Sequence, residues 1–155
     1  MLVVHLAHFL RGGVAVYLDP LLGLATDQVE RATATEHNLE GYHIDEHRNV
    51  DEVLLMDRLA TYNADGEEAK HVAISLFIGP KKLTKKKWQN VLTDLGEKGL
   101  IQLLVIDEAH FVPQSGRHFR KEFNGAVKFL GELSKRMKRR VPRVLLSATM
   151  LKKRC

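Results

Sequence analysis

The stretch Leu103-Leu104-Val105-Ile106-Asp107-Glu108-Ala109-His110 decides the fold. Its four leading aliphatic residues predict a strand that runs directly into two carboxylates. A carboxylate in the place of Asp107 can reach Mg²⁺, directly or through water, while the ion bridges the β- and γ-phosphates of a nucleotide. The next carboxylate, Glu108, can orient an attacking water or accept its proton. The plain alternative is a strand that ends at a solvated acidic turn. The full stretch, together with a later strand that enters Ser147-Ala148-Thr149, favours the nucleotide site.

Strands and helices alternate along the rest of the chain. Apolar runs predict strands at residues 14–18, 72–78, 103–106 and 144–146, and helical spacing predicts helices at residues 2–10, 21–33, 50–62, 84–96 and 119–139. Gly12-Gly13 is expected to stop the first helix. Residues 34–48 are polar and show no strong period. The alternation predicts an α/β fold with a mostly parallel sheet.

The expected ligand site follows from that fold. A parallel sheet binds its ligand beyond the carboxyl ends of its strands. Each predicted strand is followed by a polar break, so we expect these breaks to gather on one edge of the sheet: Asp19-Pro20, Gly79-Pro80, Asp107-Glu108 and Ser147-Ala148-Thr149.

Apolar spacing also predicts which side chains face the core. In the helix at residues 50–62 the expected inward-facing residues are Val53, Leu54, Met56 and Leu59. Trp88 and Phe129 sit at helical spacing in later helices and are expected in the core.

Composition narrows the class of protein. The chain has 155 residues, a one-domain length, and its 45% hydrophobic content excludes a wholly disordered chain. No apolar run approaches the roughly 18 residues that span a bilayer, so no membrane partner is expected. Residues 1–10 are apolar but lack the basic start and the cleavage site of a signal peptide. The single cysteine, Cys155, fits a reducing interior such as the nucleus or cytoplasm.

Positive charge is modest overall but clustered. The net charge is +5, and the basic residues gather in three groups: Lys81, Lys82, Lys85, Lys86 and Lys87; Lys135, Arg136, Lys138, Arg139, Arg140 and Arg143; and Lys152, Lys153 and Arg154. Such groups suit a polyanion partner, and they are equally typical of solvated helix faces and chain ends.

The motifs resemble those of a known family. Asp107-Glu108-Ala109-His110 and Ser147-Ala148-Thr149 look like motifs II and III of superfamily-two helicases. The run at residues 111–123 (FVPQSGRHFRKEF) is similar to the aromatic-rich loop of the RecQ helicases. Residues 17–24 with 27–29 resemble motif Ia, and residues 77–83 resemble the "APERL" motif of the same family. The sequence therefore resembles a RecQ-like, DEAH-box-bearing, ATP-dependent DNA helicase over nearly its whole length.

The resemblance implies a fold, ligands and residue roles. The fold would be a three-layer RecA-like domain of the P-loop NTPase type, the cofactors ATP and Mg²⁺, and the partner single-stranded or forked DNA. Asp107 would be the Mg²⁺ ligand, and Glu108 would orient the attacking water. His110 would link them to motif III, that is, to Ser147 and Thr149. The expected DNA contacts are Pro20, Gln28, Gly79, Pro80, Lys81, Gln114, Phe119 and Arg120, of which Phe119 and Arg120 would couple DNA binding to hydrolysis.

The sequence departs from the family at several positions. Ser115 stands where the loop usually has tryptophan, Arg117-His118 replaces a usual His-Asp pair, and Asp19 replaces a small serine or threonine in motif Ia. An acid at position 19 repels phosphate. These changes bear on DNA-coupled activation and not on the fold.

No G-x-x-x-x-G-K-[ST] sequence occurs in the chain. When the chain is aligned with the family, Met1 falls at about the Ser/Thr of the phosphate-binding loop that this sequence forms. We therefore expect residues 1–155 to be a single partial domain, truncated at its N-terminal edge, that carries motifs Ia to III. A second RecA-like domain would be its missing partner, and the chain alone is expected to lack ATP turnover.

Two other readings stay open. The chain could be a non-catalytic nucleic-acid-binding module, or a regulatory fragment derived from a helicase. His43 and His47, with His37 nearby, could hold zinc if a third ligand came within reach, or they could be polar loop histidines.

Overall fold

Five parallel strands form the centre of the protein. A computed structural model describes residues 12–19, 38–45, 51–62, 67–107 and 116–146. The strand bounds are β1 Gly13–Leu18, β2 Leu39–Ile44, β3 Ala73–Ile78, β4 Ile101–Ile106 and β5 Arg143–Leu145. The strands lie in the order β2-β3-β1-β4-β5, and every pair of neighbours is parallel. The predicted α/β fold with a parallel sheet is confirmed.

The central strands are built from residues that are apolar on both faces. All six residues of β1 and all six of β3 are buried. Strands covered on both sides are typical of parallel sheets and read as continuous apolar runs, so both were visible in the sequence. The register places Leu18 level with Ile78 and with Ile106, so the strands finish in line.

Five helices lie among the described residues that connect the strands. Their bounds are α1 Glu52–Thr61, α2 Glu67–His71, α3 Pro80–Leu83, α4 Lys86–Glu97 and α5 Arg117–Arg136. Asp51 caps α1, because its carboxylate accepts hydrogen bonds from the backbone amides of Val53 and Leu54, both at 3.1 Å. Such a cap stabilises a helix by about 1 kcal/mol. The helices predicted at residues 2–10 and 21–33 fall outside the described residues.

The main core lies between one face of the sheet and the helices. Each described helix contributes to it, among others through Trp88 and Leu92 of α4 and Phe123 and Leu130 of α5. Trp88 is buried as predicted, and Phe129 packs against this core as a partly buried residue. Burying each large apolar side chain stabilises the fold by roughly 1.5–3 kcal/mol.

The opposite face of the sheet carries a second, smaller cluster. It comprises Ala15, Tyr17, Phe77, Leu103 and Val105. The rings of Tyr17 and Phe77 stack across β1 and β3 with centroids 4.5 Å apart. Burial raises the pKa of Tyr17 to about 12, so its hydroxyl stays protonated across the physiological range. Both faces of the sheet are therefore apolar.

The structure corrects the sequence-based prediction in four places. Residues 34–48 were assigned to no element, yet residues 39–44 form the edge strand β2. The short helices α2 and α3 were not predicted. In α1 the predicted inward-facing residues Val53 and Leu54 are 74% and 67% exposed, and Leu55, which was not predicted, is buried. The predictions for Leu59, which is buried, and Met56, which packs against the core, are confirmed. His43, considered as a loop histidine, is a buried strand residue.

Candidate functional site

The residues that follow the strands form one row along the carboxyl edge of the sheet. In sheet order the row is Asp45, Gly79, Asp19, Asp107 and Leu146, one residue beyond β2, β3, β1, β4 and β5. The prediction that the strand-end residues gather on one edge is confirmed for Asp19, Gly79 and Asp107.

Backbone hydrogen bonds hold the middle of this row. The amide of Asp107 donates to the carbonyl oxygen of Leu18 at 3.0 Å, and the amide of Asp19 donates to that of Ile78 at 3.2 Å. Each bond continues the ladder one residue past the last strand pair. The main chain at Asp19 and Asp107 is therefore as fixed as the strands themselves.

The outer positions of the row are held in the same way. The amide of Gly79 donates to the carbonyl oxygen of Ile44 at 3.0 Å, and that of Leu146 donates to Ile106 at 2.9 Å. The whole edge is thus a continuous main-chain platform, and the side chains on it are positioned by strand register.

Asp19 and Asp107 are the two carboxylates that come closest together in register. They follow adjacent strands, which lie about 4.8 Å apart. Asp19 is buried, whereas Asp107 is half-buried and so partly open to solvent. Asp45 lies two strands away from Asp19, with Gly79 between them. The row therefore contains a carboxylate pair and a separate third acid.

Gly79 and Pro80 begin α3 beside this pair. Gly79 is the N-cap in an extended conformation, and Pro80 fills the first turn, where its missing N–H costs nothing. A Cβ on Gly79 would meet only ordinary contacts at 3.8 Å, with the Cβ of Asp45 and the carbonyl oxygen of Ile44. Lys81 follows and is exposed.

The first basic cluster is partly neutralised. Lys82 and Lys87 both donate to Glu52 at the start of α1, the second at 3.3 Å. These hydrogen bonds, the one from Lys82 above all, hold the pKa of Glu52 below its usual range. Lys82 and Lys87 are thus engaged within the protein, so the positive charge of this cluster is not wholly available to an anionic partner.

Phe119 and Arg120 lie in the first turn of α5. The ring of Phe119 is half-buried and packs against Phe123, with centroids 6.2 Å apart. Arg120 is exposed. Gly125, further along α5, lies close to Thr84 after α3, which places the first half of α5 near the carboxyl edge. Phe119 is held by the core while part of its ring stays accessible.

Comparison with known proteins identifies the family. Residues 1–154 match the DEAD/DEAH box helicase family. The chain belongs to this family.

Its curated relatives include RecQ-type DNA helicases. The chain is 29% identical to "ATP-dependent DNA helicase Q5" of Mus musculus over 140 residues, which are 90% of this chain and 13% of the relative. It is 29% identical to "ATP-dependent DNA helicase Q-like 2" of Arabidopsis thaliana over 147 residues, which are 93% of this chain and 19% of the relative. The chain spans less than a fifth of the length of these two relatives. The predicted resemblance to RecQ-type helicases is confirmed.

Within this DEAD/DEAH box helicase the parallel sheet and its helices form a RecA-like α/β fold. The structure describes five of the predicted DNA-contacting residues: Gly79, Pro80, Lys81, Phe119 and Arg120. The remaining predicted site residues fall outside the described ranges: Pro20, Gln28, Glu108, His110, Gln114, Ser147 and Thr149. Their roles stay predictions, as does that of Asp107.

One feature of the carboxyl edge, a pair formed by His43 and Asp45, was not predicted from the sequence. The Nε2 atom of His43 lies 3.2 Å from an Oδ atom of Asp45, and both side chains are buried. The signal was available, because Ile44-Asp45 repeats the aliphatic-to-aspartate ending of Leu18-Asp19 and Ile106-Asp107. In the part of the chain that the structure describes, no three His, Cys, Asp or Glu side chains gather as a metal site would require. His37 and His47 lie outside that part.

No helix among the described residues is long and apolar enough to cross a bilayer.

Proposed function

We propose that this chain is part of an ATP-dependent DNA helicase of the RecQ type, in which ATP hydrolysis is coupled to unwinding and to movement along single-stranded DNA. The observation that carries the proposal is the position of Asp107. It follows the apolar strand β4 on the ligand-binding edge of a parallel sheet, in a chain that matches the DEAD/DEAH box helicases almost from end to end.

The carboxylate pair suits a magnesium–nucleotide complex. Proteins usually hold Mg²⁺ through one or two carboxylates together with substrate phosphates. Asp107 is half-buried at a strand end, and Asp19 adds negative charge on the next strand. Bare phosphate would be repelled by the pair, whereas a divalent cation would be attracted. Asp19 therefore selects for the metal-bound form of the nucleotide.

The remaining residues of the stretch Asp107-Glu108-Ala109-His110, which we call the acidic box, complete the proposed site. ATP with Mg²⁺ supplies the phosphoryl bond whose hydrolysis drives the motor. Glu108 orients the attacking water and accepts its proton, and His110 connects this site to Ser147 and Thr149. A second RecA-like domain of the whole protein closes over the nucleotide. Forked DNA, the form met in repair and recombination, is the proposed substrate.

The DNA strand would follow the same edge. Pro20, Gln28, Gly79, Pro80, Lys81 and Gln114 are the proposed contacts to the strand. Backbone amides and lysines at such positions hold the phosphates without reading sequence. The partly accessible ring of Phe119 offers a base-stacking surface, and Arg120 beside it supplies positive charge.

Binding of single-stranded DNA tests this surface. Fluorescence anisotropy with an oligo-thymidine, measured between 50 and 200 mM salt, compares the chain with Phe119→Leu and Arg120→Gln. Leucine keeps the apolar packing and loses the ring, so affinity should fall by the equivalent of about 1–3 kcal/mol, roughly 5- to 150-fold. Arg120→Gln should reduce the slope of log affinity against log salt by about 0.7.

Lys128→Gln is the matched control. Lys128 is an exposed cation on the same helix, about two turns from Arg120. Its loss should leave the affinity within roughly twofold and the salt slope unchanged. If Phe119→Leu binds as the unaltered chain does, the proposed stacking site is wrong.

A second candidate is a DNA-binding module without a motor. It is favoured by one observation, the lack of any G-x-x-x-x-G-K-[ST] sequence in the chain. The two candidates differ in their response to nucleotide. Adding a non-hydrolysable ATP analogue with Mg²⁺ should change the DNA affinity of the protein if the helicase proposal holds for the whole protein, and should leave it unchanged for a module without a motor.

A further inference from the structure

The helix α5 links the two edges of the sheet. Its first turn carries Phe119 near the carboxyl edge, and its last turn reaches the opposite, amino edge. There it contacts the end of α4, because a Cβ built on Gly96 of α4 would lie 3.1 Å from the side chain of Leu133 in α5. With 20 residues and a rise of about 1.5 Å per residue, α5 spans about 30 Å. The two ends of this helix therefore present separate surfaces.

A cluster of exposed cations occupies the amino-edge end. We name it the amino-edge basic patch; its members are Arg136, Lys138, Arg139, Arg140 and Arg143, all exposed. An Nη atom of Arg139 lies 3.5 Å from the carbonyl oxygen of Gly99, which precedes β4. The amide of Leu104 donates to the carbonyl oxygen of Pro142 at 3.1 Å. These contacts fix the patch beside the start of β4 and β5.

The charge of this patch is largely uncompensated. Lys135, just before it, pairs with Glu132 at 2.9 Å. Within the described ranges no carboxylate lies within ion-pair distance of Arg136, Lys138, Arg140 or Arg143. Cations in the last turn of a helix are stabilised by the helix dipole, which accounts for Lys135 and Arg136. The dipole does not account for the cations beyond Met137.

The patch also has a concave surface suited to phosphate. Arg140, Val141, Pro142 and Arg143 line an open groove of about 410 Å³. An arginine stands at each end of this segment, and none of the four lining residues is aromatic. Sites for single-stranded nucleic acid combine basic charge with aromatic rings on which bases stack. Among its described lining residues, this groove offers positive charge and no aromatic ring.

We propose that the amino-edge basic patch binds the sugar-phosphate backbone of duplex DNA, at a site separate from the carboxyl edge. Duplex DNA carries one charge per about 1.7 Å of its axis, which suits arginines that lack stacking partners. The length of α5, about 30 Å, is close to one helical turn of DNA. A duplex on this patch would thus lie about one turn from a strand held at Phe119.

The proposal takes DNA as the partner from the proposed function, but it does not depend on the nucleotide site. Its test is binding of a blunt duplex of roughly 20 base pairs, compared with an oligo-thymidine, by anisotropy between 50 and 200 mM salt. Arg140→Gln/Arg143→Gln removes two cations of the patch. The control, Lys70→Gln/Lys128→Gln, removes two exposed cations elsewhere.

The expected result is selective for the duplex. The patch variant should bind duplex roughly 10- to 60-fold more weakly near 100 mM salt, with a salt slope smaller by about 1.8, which corresponds to two lost phosphate contacts. Its affinity for oligo-thymidine should stay within about twofold of the unaltered chain. Arg140→Lys/Arg143→Lys keeps both charges and should retain the duplex slope.

Three results would overturn the proposal. Equal losses in the patch and control variants would mean that net charge alone matters. Unchanged duplex binding in the patch variant would leave the patch without this role. Equal losses for duplex and oligo-thymidine would make it a general polyanion surface. If Phe119→Leu binds oligo-thymidine as the unaltered chain does, the proposed site for single-stranded DNA at the carboxyl edge is wrong. The duplex-binding test of the amino-edge basic patch is not affected by that result.

Discussion

The backbone amide of Asp107 donates a hydrogen bond to the carbonyl oxygen of Leu18, 3.0 Å away on the neighbouring strand. The bond fixes the main chain at Asp107 and does not involve the Asp107 carboxylate. Asp107→Asn should therefore remove the charge without breaking this backbone bond. Loss of function in that variant can be separated from loss of folding by its circular dichroism spectrum.

We expect the chain to show no DNA-stimulated ATPase activity above background. The carboxylates of the acidic box alone cannot cradle the phosphates, and the sequence offers no P-loop lysine to do so. A coupled phosphate-release assay with and without oligo-thymidine measures this. Turnover that Glu108→Gln abolishes would contradict the expectation, because it would belong to this site and not to a contaminant.

Tyr62→Phe should destabilise the fold by about 1–3 kcal/mol. The buried Tyr62 hydroxyl accepts from the amide of Gly13 at 3.1 Å and donates to the carbonyl oxygen of Val72. Removing it leaves a buried N–H without a partner, and such a group costs its full desolvation. Urea unfolding measures the change. Tyr42→Phe is the control, since its hydroxyl donates to the partly exposed Glu40 and its loss should cost less than about 1 kcal/mol.

Two glycine-to-alanine changes should have opposite effects on stability. Gly12 has φ +64°, and a Cβ there would lie 2.5 Å from the carbonyl oxygen of Ala69, so Gly12→Ala should cost about 2 kcal/mol or more. Gly131 lies within α5 with open space around it, so Gly131→Ala should stabilise by up to about 1 kcal/mol. Thermal melts of both variants test the pair. A Gly12→Ala protein as stable as the unaltered chain would contradict the positive φ and the close approach of Ala69 at Gly12.

The ion pair between Glu40 and Arg58 should make stability depend on acid pH. Burial would raise the pKa of Glu40, but hydrogen bonds from Arg58 at 2.8 and 3.1 Å and from Tyr42 outweigh it and hold the pKa below its ordinary 4.5. A carboxyl group whose pKa is lowered by folding stabilises the fold at pH values above its pKa in the unfolded chain. This contribution is lost as the pH falls through its pKa in the folded protein.

Glu40→Gln should therefore be less stable than the unaltered chain at pH 7, and the gap should narrow below about pH 4.5. Urea midpoints measured across that range give the comparison. The control, Glu132→Gln, removes a fully exposed partner of Lys135, whose ion pair is screened by solvent. A gap that stays constant down to pH 3 would show that the charge of Glu40 is not what stabilises this corner.

The central strands could be predicted from sequence because burial on both faces leaves an unbroken apolar run. The edge strand β2 could not, since Glu40, Gly41 and Tyr42 are half-exposed and break that pattern. Within α1, the predictions for Val53 and Leu54 were wrong for another reason. The cap at Asp51 sets where the first turn begins, and Leu55 and Leu59, four residues apart, then face the core.

The contrast between buried central strands and the half-exposed edge strand also explains which residues of the candidate site could be predicted. Asp19, Gly79 and Asp107 follow strands that were recognised, and parallel register alone brings them together. Asp45 and its pairing with His43 were not predicted because β2 was not predicted. The ion pairs of Lys82 and Lys87 with Glu52 could not be foreseen, since the partner lies 30 and 35 residues away in the chain.

The strand order has a consequence for synthesis on the ribosome. Of the described strands β1 emerges first; it pairs with β3 and β4, and β2 pairs with β3, so neither β1 nor β2 has its partner among the described strands until β3 appears. Gly13 is level with Ala73, 60 residues later, which at about 5–20 residues per second is a delay of about 3–12 s. During that interval six residues destined for complete burial are solvent-exposed. Release of β3 from the exit tunnel is the event that lets the first half of the chain fold, and a pause in translation just before it would favour aggregation.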